Sequence, residues 1–324
     1  MKIAIFNGLT FHFEMYGYIL HYCVVNGHSV TVYTQESTHG WQAFYMKRFP
    51  TMIWKSCSDF ISEYASHDYI FLTTDDDRVF PLQNAKHLIC IDHNFAMRRP
   101  SVDPSFHIAT RPFVTNYRKW AIPCYPIVHS VQEKVSYLQS MTDGIHIAVI
   151  GGRYDYDIKQ LKRIKSTSPI ILHLISRHIS KEQVEPLTQK YRVCIHENIS
   201  TDGMMDILYR SKYVLCDVTT NMDHIQGKSM SGCIPMAFST LNILLFSTGN
   251  NMLYKFTSAK TFSLQDLEPI TLTNTIDEKE IQSVYEERER LISMFHGHVN
   301  DCMTAPPPPP TPTLSQISPW TFRV

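Results

Sequence analysis

Ile3-Ala4-Ile5-Phe6-Asn7-Gly8 opens the chain, and Ile147-Ala148-Val149-Ile150-Gly151-Gly152 repeats its pattern near the middle. Each is a short, apolar, β-branched run that ends in glycine and leads into helical periodicity. A parallel strand buried on both faces reads this way when it turns sharply into a helix. Two such openings predict two doubly wound α/β domains in tandem. Domains of that kind bind ligands beyond the carboxyl ends of their strands. Two of them facing each other enclose a cleft suited to a two-substrate reaction.

Working outward from the first run, strands are expected at 2–7, 28–34, 68–73, 87–92 and 105–110, with helices at 15–26 and 56–65. Prolines 112, 123 and 126 mark a linker over 111–128. From the second run the alternation reads strand 145–150, helix 154–166, strand 169–175, helix 180–190, strand 191–196, helix 202–210 and strand 212–216. A short helix at 226–232 should lead into a strand at 233–238. Alternating units of this length imply parallel sheets with right-handed crossovers. The expected organisation is a first domain over 1–128, a second over 129–275, a helix over 276–300 and a tail over 301–324. Ile281, Val284, Tyr285, Leu291, Ile292 and Phe295 give that helix its apolar stripe. The five prolines at 306–310, with Pro312 just beyond them, cannot build a core, so the tail reads as disordered or polyproline II.

Composition narrows the function classes. At 324 residues the chain is long for one core and comfortable for two. Thirty basic and thirty acidic residues balance, which implies no general attraction to nucleic acid or anionic lipid. The eight cysteines lie singly, without CxxC pairs, so neither a zinc site nor a disulfide framework is expected. The chain lacks a signal-peptide pattern and any apolar run near the roughly 20 residues of a membrane span. A cytoplasmic protein is the expectation, and the sequence leaves its oligomeric state open.

The most specific stretch is Ser211-Lys212-Tyr213-Val214-Leu215-Cys216, a polar loop over 217–224, and then Gln226-Gly227-Lys228-Ser229-Met230-Ser231-Gly232-Cys233-Ile234-Pro235. A polar strand-end loop followed by a helix start presents backbone N–H groups to a diphosphate. Gly227-Lys228-Ser229 is not a P-loop end, because that motif needs glycine where Met222 stands. Gly151 and Gly152 allow close approach of a diphosphate or a plain tight turn, and Arg153 can grip phosphate in a fork. Arg177 follows the next strand and is a second phosphate candidate.

These segments together resemble the nucleotide-sugar-binding region of GT-B glycosyltransferases, most of all the exostosin-like branch. The proline run beside such a domain is similar to enzymes of large algal DNA viruses, which would put the protein in host cytoplasm. The resemblance implies a nucleotide-sugar donor, UDP-linked in preference to GDP-linked, no further cofactor, and a glycan or glycoprotein hydroxyl as acceptor. Glu197 and Asn198 stand where related enzymes hold the nucleobase, and Asp217, Thr219, Gln226, Gly227, Lys228 and Ser229 fall in the donor loop. The family has a carboxylate near the start of the short helix, and here Gly227 or Lys228 takes that place. Ribose binding then falls to Asp217, Asp223 or Glu197, or donor specificity is altered, or activity is lost. Lys228 could instead neutralise a phosphate.

His12, in the loop after the first strand, is spaced like the general base of inverting GT-B enzymes. An imidazole can take a proton from an attacking hydroxyl. Glu14 could orient His12 or replace it, and His93 is the next choice. Asp75 and Asp77 give a rival reading, since an acidic cluster at a strand end is how metal-dependent glycosyltransferases hold manganese. The GT-B reading expects no metal ligands.

Overall fold

The computed structural model describes residues 1–10, 12–36, 38–73, 87–93, 106–112, 119–152, 155–266 and 268–305. Its first sheet holds β1 (Lys2–Asn7), β2 (Ser29–Thr34), β3 (Ile53–Ser56), β4 (Tyr69–Leu72), β5 (Leu88–Asp92) and β6 (His107–Ala109). All pair in parallel, in the order β3-β2-β1-β4-β5-β6. The second half supplies β7 (Ile145–Gly152), β8 (Ile164–Lys165), β9 (Ile170–Ser176), β10 (Arg192–Glu197), β11 (Tyr213–Leu215), β12 (Ile243–Ser247), β13 (Lys260–Phe262) and β14 (Ile270–Thr271). Six of these form the order β10-β9-β7-β11-β12-β13, again all parallel, while β14 pairs with β8. Both sheets therefore reverse direction beside their first strand, between β1 and β4 and between β7 and β11. Those are the switch points at which doubly wound sheets open a crevice.

The two glycine-ended apolar runs are β1 and β7, the central strands. Ile3, Ala4 and Ile5 in β1, and Ile147, Ala148 and Val149 in β7, are fully buried, as strands covered on both faces require.

Several elements differ from the expectation. The run at 233–238 is a helix, Cys233–Ser239, and the strand comes later as β12. Every residue of that helix is buried, so its apolar pattern carries no period that separates helix from strand. Pro235 sits in its first turn, where the missing N–H has no intrahelical partner anyway. The short helix lies at Met222–Ile225, ahead of 226–232. The expected helix at 154–166 is cut to Ile158–Leu161, capped by the Asp157 carboxylate at Lys159 and Gln160. Helices at Trp41–Arg48 and Val131–Gln139 and strand β3 were not anticipated.

One long helix, Glu278–Thr304, ties the halves together. It starts against the second domain, where Glu280 pairs with Lys260 at 2.6 Å and Lys212 at 3.3 Å, and further along the buried Arg288 donates to the Val128 carbonyl at the junction. It ends against the first. There the Phe295 ring lies 4.3 Å from Tyr18, Tyr22 donates to Asn300 Oδ1 at 2.6 Å, and Tyr69 donates to the Met303 carbonyl at 2.7 Å. Among the described residues, no helix is long and apolar enough to cross a membrane.

Candidate active site

Chain direction brings the chemistry to one place. His12 and Glu14 follow β1, His93 follows β5, and Arg111 follows β6, all at the carboxyl edge of the first sheet. Gly152, Arg177, Glu197 and Asp217 stand at the matching edge of the second. The two edges meet, because Arg111 Nη1 donates to the Ser229 carbonyl at 2.9 Å.

On the first-domain wall, His12 adopts a left-handed backbone, φ 64° and ψ 28°. That is uncommon outside glycine, though histidine is among the residues enriched there. The turn it makes lets its Nδ1–H donate to Glu14 Oε1 at 3.2 Å. Burial pushes the Glu14 carboxyl up, but the hydrogen bond and charge of His12 outweigh it, and the group is held below its ordinary value. A carboxylate paired with Nδ1 fixes the ring and stabilises the imidazolium that proton uptake at Nε2 would create. The His93 ring lies 4.3 Å from that of His12. Burial, with the charge of His12 beside it, drives His93 down to about 3. It is neutral near pH 7, with Nε2–H donated to the Thr73 carbonyl in a short hydrogen bond. A group so reluctant to bind a proton is a poor general base. Asp75 and Asp77 lie outside the described residues.

On the second-domain wall, Gly227 ends the short helix with φ 71°, its N–H bonded to the His224 carbonyl at 3.1 Å. The N–H groups of Lys228 and Ser229 turn back to the Asp223 carbonyl, at 2.7 and 3.2 Å. Gln226 and Lys228 are exposed beside this turn. Arg111, only 1% exposed, presses on it from the first domain. Nothing in the sequence reading singled Arg111 out. The signal was a lone arginine after the strand around 105–110, the same criterion that picked out Arg177. Arg177 is exposed just past β9, and Arg153 lies outside the described residues.

Two candidate residues have structural work of their own. The Asp217 carboxyl is 7% exposed and accepts from Ser247 N at 3.2 Å, from the Ser247 hydroxyl, and from Asn250 Nδ2 at 3.0 Å. Burial raises its pKa against those hydrogen bonds and the charge of Arg111. It joins the ends of β11 and β12. Gly151 admits the Tyr156 ring, since a Cβ at 151 would lie 2.7 Å from it. Tyr156, bonded to the Ile175 carbonyl at 3.0 Å, accounts for that glycine without a diphosphate. Thr219 pairs with Tyr156 in an isolated antiparallel bridge, so the loop after β11 is anchored to the chain after β7. Glu197 Oε1 is held by His178 Nδ1 at 2.9 Å and Ile179 N at 3.3 Å, yet it stays exposed at the rim. Asn198 takes φ 53° and donates its N–H to the Ser176 carbonyl at 2.9 Å.

No family model matches the chain, and no curated protein matches it by sequence. Solved structures match it in fold. AviGT4, a glycosyltransferase involved in avilamycin A biosynthesis, gives a TM-score of 0.52 at 11% identity, over 93% of this chain and 95% of that one. HepE from Anabaena in complex with UDP and glucose gives 0.52 at 10% identity, over 93% and 94%. An E. coli protein described as trehalose-6-phosphate, bound with UDP-2-fluoro glucose, gives 0.51 at 9% identity, over 95% and 100%. At such identities the likeness is one of fold. The fold is the GT-B arrangement, two Rossmann-like domains facing across a cleft.

Proposed function

We propose that this chain is a glycosyltransferase that moves a sugar from a nucleotide-diphosphate donor to a hydroxyl of a glycan or glycoprotein. The observation that carries this reading is the His12–Glu14 pair at 3.2 Å on one wall of the interdomain cleft, opposite the 226–229 turn on the other. An acceptor hydroxyl is too weak an acid to ionise at neutral pH, so its attack on the anomeric carbon needs a base. His12 Nε2 takes that proton, with Glu14 stabilising the imidazolium. Attack from the face opposite the leaving group inverts the anomeric centre. Lys228 and Arg111 offset charge as it develops on the diphosphate, which is the task a metal performs elsewhere; the N–H groups of the turn are already bonded to the His224 and Asp223 carbonyls. UDP is the favoured nucleotide by likeness to HepE, whose structure holds UDP and glucose, and GDP is the alternative. The exostosin-like character rests on the Gly232-Cys233-Ile234-Pro235 run that follows the Ser211–Cys216 strand segment.

A specific observation favours a second reading. No carboxylate stands at the head of the 226–229 turn, and the Asp217 carboxyl is bonded to Ser247 and Asn250, so a donor-binding protein without turnover fits the same cleft. Thermal-shift measurements with UDP, GDP and their sugars, with and without EDTA, test the proposal. A nucleotide at 100 times its Kd should add about 2.7 kcal/mol of stability, and turnover of the matching nucleotide sugar should survive EDTA. The absence of any nucleotide-dependent shift would overturn it. Turnover abolished by EDTA and restored by manganese would favour the metal reading of Asp75 and Asp77.

A further inference from the structure

A second concavity opens at the same edge of the first sheet, at the carboxyl ends of β2 and β3. It has a volume of about 240 Å³ and is lined by Thr34, Gln35, Glu36, Trp54, Lys55 and Ser56. Trp54 is half-buried. Its ring meets that of Tyr16 edge to face, with centroids 5.7 Å apart, and the indole lines the cleft. The Tyr16 hydroxyl is paired with Thr34 Oγ1 at 2.7 Å, which fixes that wall of the cleft. Lys55 is drawn to Glu63, with both carboxylate oxygens at 2.7 Å, so its charge is already answered. What the cleft offers a ligand is an aromatic face with amide, carboxylate and hydroxyl groups around it. That combination suits a neutral polyol ring, whose C–H face stacks on the indole while its hydroxyls bond the rim.

Resting on the glycosyl-transfer reading above, we infer that this cleft seats a sugar ring of the acceptor, and not the ring that reacts. Register places it. Asn7 in β1 pairs with Thr34 in β2, and Thr34 pairs with Ser56 in β3, so the Trp54 wall of the cleft, on β3, lies two strands from the strand that leads to His12. Two strand spacings are about 10 Å, farther than one pyranose reaches. The acceptor is therefore an oligosaccharide or a glycoside with at least two rings. Its terminal hydroxyl is at His12 and an inner ring lies on Trp54.

Tryptophan fluorescence of the full chain tests this. Maltose, cellobiose and lactose would be titrated beside the methyl glycosides of glucose and galactose, with UDP binding measured in parallel. At least one disaccharide should quench the emission and bind more tightly than its methyl monosaccharide. Trp54→Ala should weaken that disaccharide about tenfold with UDP affinity unchanged. Should Trp54→Ala fold poorly, Trp54→Phe should abolish the quench and Gln35→Ala should weaken the disaccharide several-fold. The inference is overturned if no disaccharide binds, or if the Trp54 and Gln35 variants bind it as the parent does. A chain that binds disaccharide through Trp54 but no nucleotide would instead sink the glycosyl-transfer reading and leave this cleft standing as a sugar site.

Discussion

Arg111 fills the space that a side chain at Gly227 would need. A Cβ built on Gly227 falls 2.7 Å from Arg111 Nη2 and 3.2 Å from Leu253 Cδ1. The first domain thus reaches the 226–229 turn of the second through a buried guanidinium, at a backbone position that glycine serves best.

Gly227→Ala should be costly on both counts. The left-handed conformation alone costs an alanine about 1–2 kcal/mol, and the guanidinium must also shift. Urea unfolding should register a loss of at least about 1 kcal/mol, and UDP titration a weaker complex. Unchanged stability together with unchanged UDP affinity would mean that Arg111 and the turn are not packed as described.

Lys134 makes a separate claim on stability. It is 0% exposed, and its Nζ donates to the carbonyls of Leu208, Tyr209 and Ser211 at 2.9, 3.0 and 2.9 Å. Three acceptors use all three donors of an ammonium at the negative end of helix Thr201–Arg210. Lys134→Met keeps the length and removes the donors. Asn242 Nδ2 still serves the Leu208 and Ser211 carbonyls, so only the Tyr209 carbonyl loses its donor and the loss should be about 1–3 kcal/mol. A wild-type melting temperature for this variant would contradict the assignment.

Stability should also depend on acid. Burial, helped by neighbouring imidazoles, lowers His93 to about 3 and His173 to about 4, and burial with the charge of His296 lowers His21 to about 4. Unfolded histidine titrates near 6.5. Between about 6.5 and about 4 the unfolded chain therefore binds protons that the folded chain refuses, so stability falls as pH falls through that window. Glu14, held below its ordinary value, acts in the same direction at still lower pH. Melting curves across pH 4 to 7 should give a steady decline toward acid. A flat profile would show that these rings are not buried in neutral form.

Much of the fold was legible because its central strands are short apolar runs ending in glycine, and their spacing along the chain counts the domains. The exceptions share a cause. Residues 233–239 are buried all round, and a sequence without an exposed face has no period to read. The site was less legible. His12, Glu14 and His93 could be named because they follow strands, but their contacts depend on the left-handed turn at His12, which no local signal announces. Asp217 is a candidate ligand-binding carboxylate by its place in the loop, and its bonds to Ser247 and Asn250 come from distant sequence that local pattern does not show. Arg111 was hidden beside a proline in what read as a linker.

The central claim is that His12 is the base. In single-turnover assays with the nucleotide sugar that stabilises the chain and an acceptor it uses, His12→Ala should lower the transfer rate by about 10² to 10⁴, with donor affinity unchanged. His93→Gln should keep most of the rate, because His93 is neutral and committed to Thr73. Near-normal transfer by His12→Ala, with the loss appearing in His93→Gln or Glu14→Gln, would contradict the account.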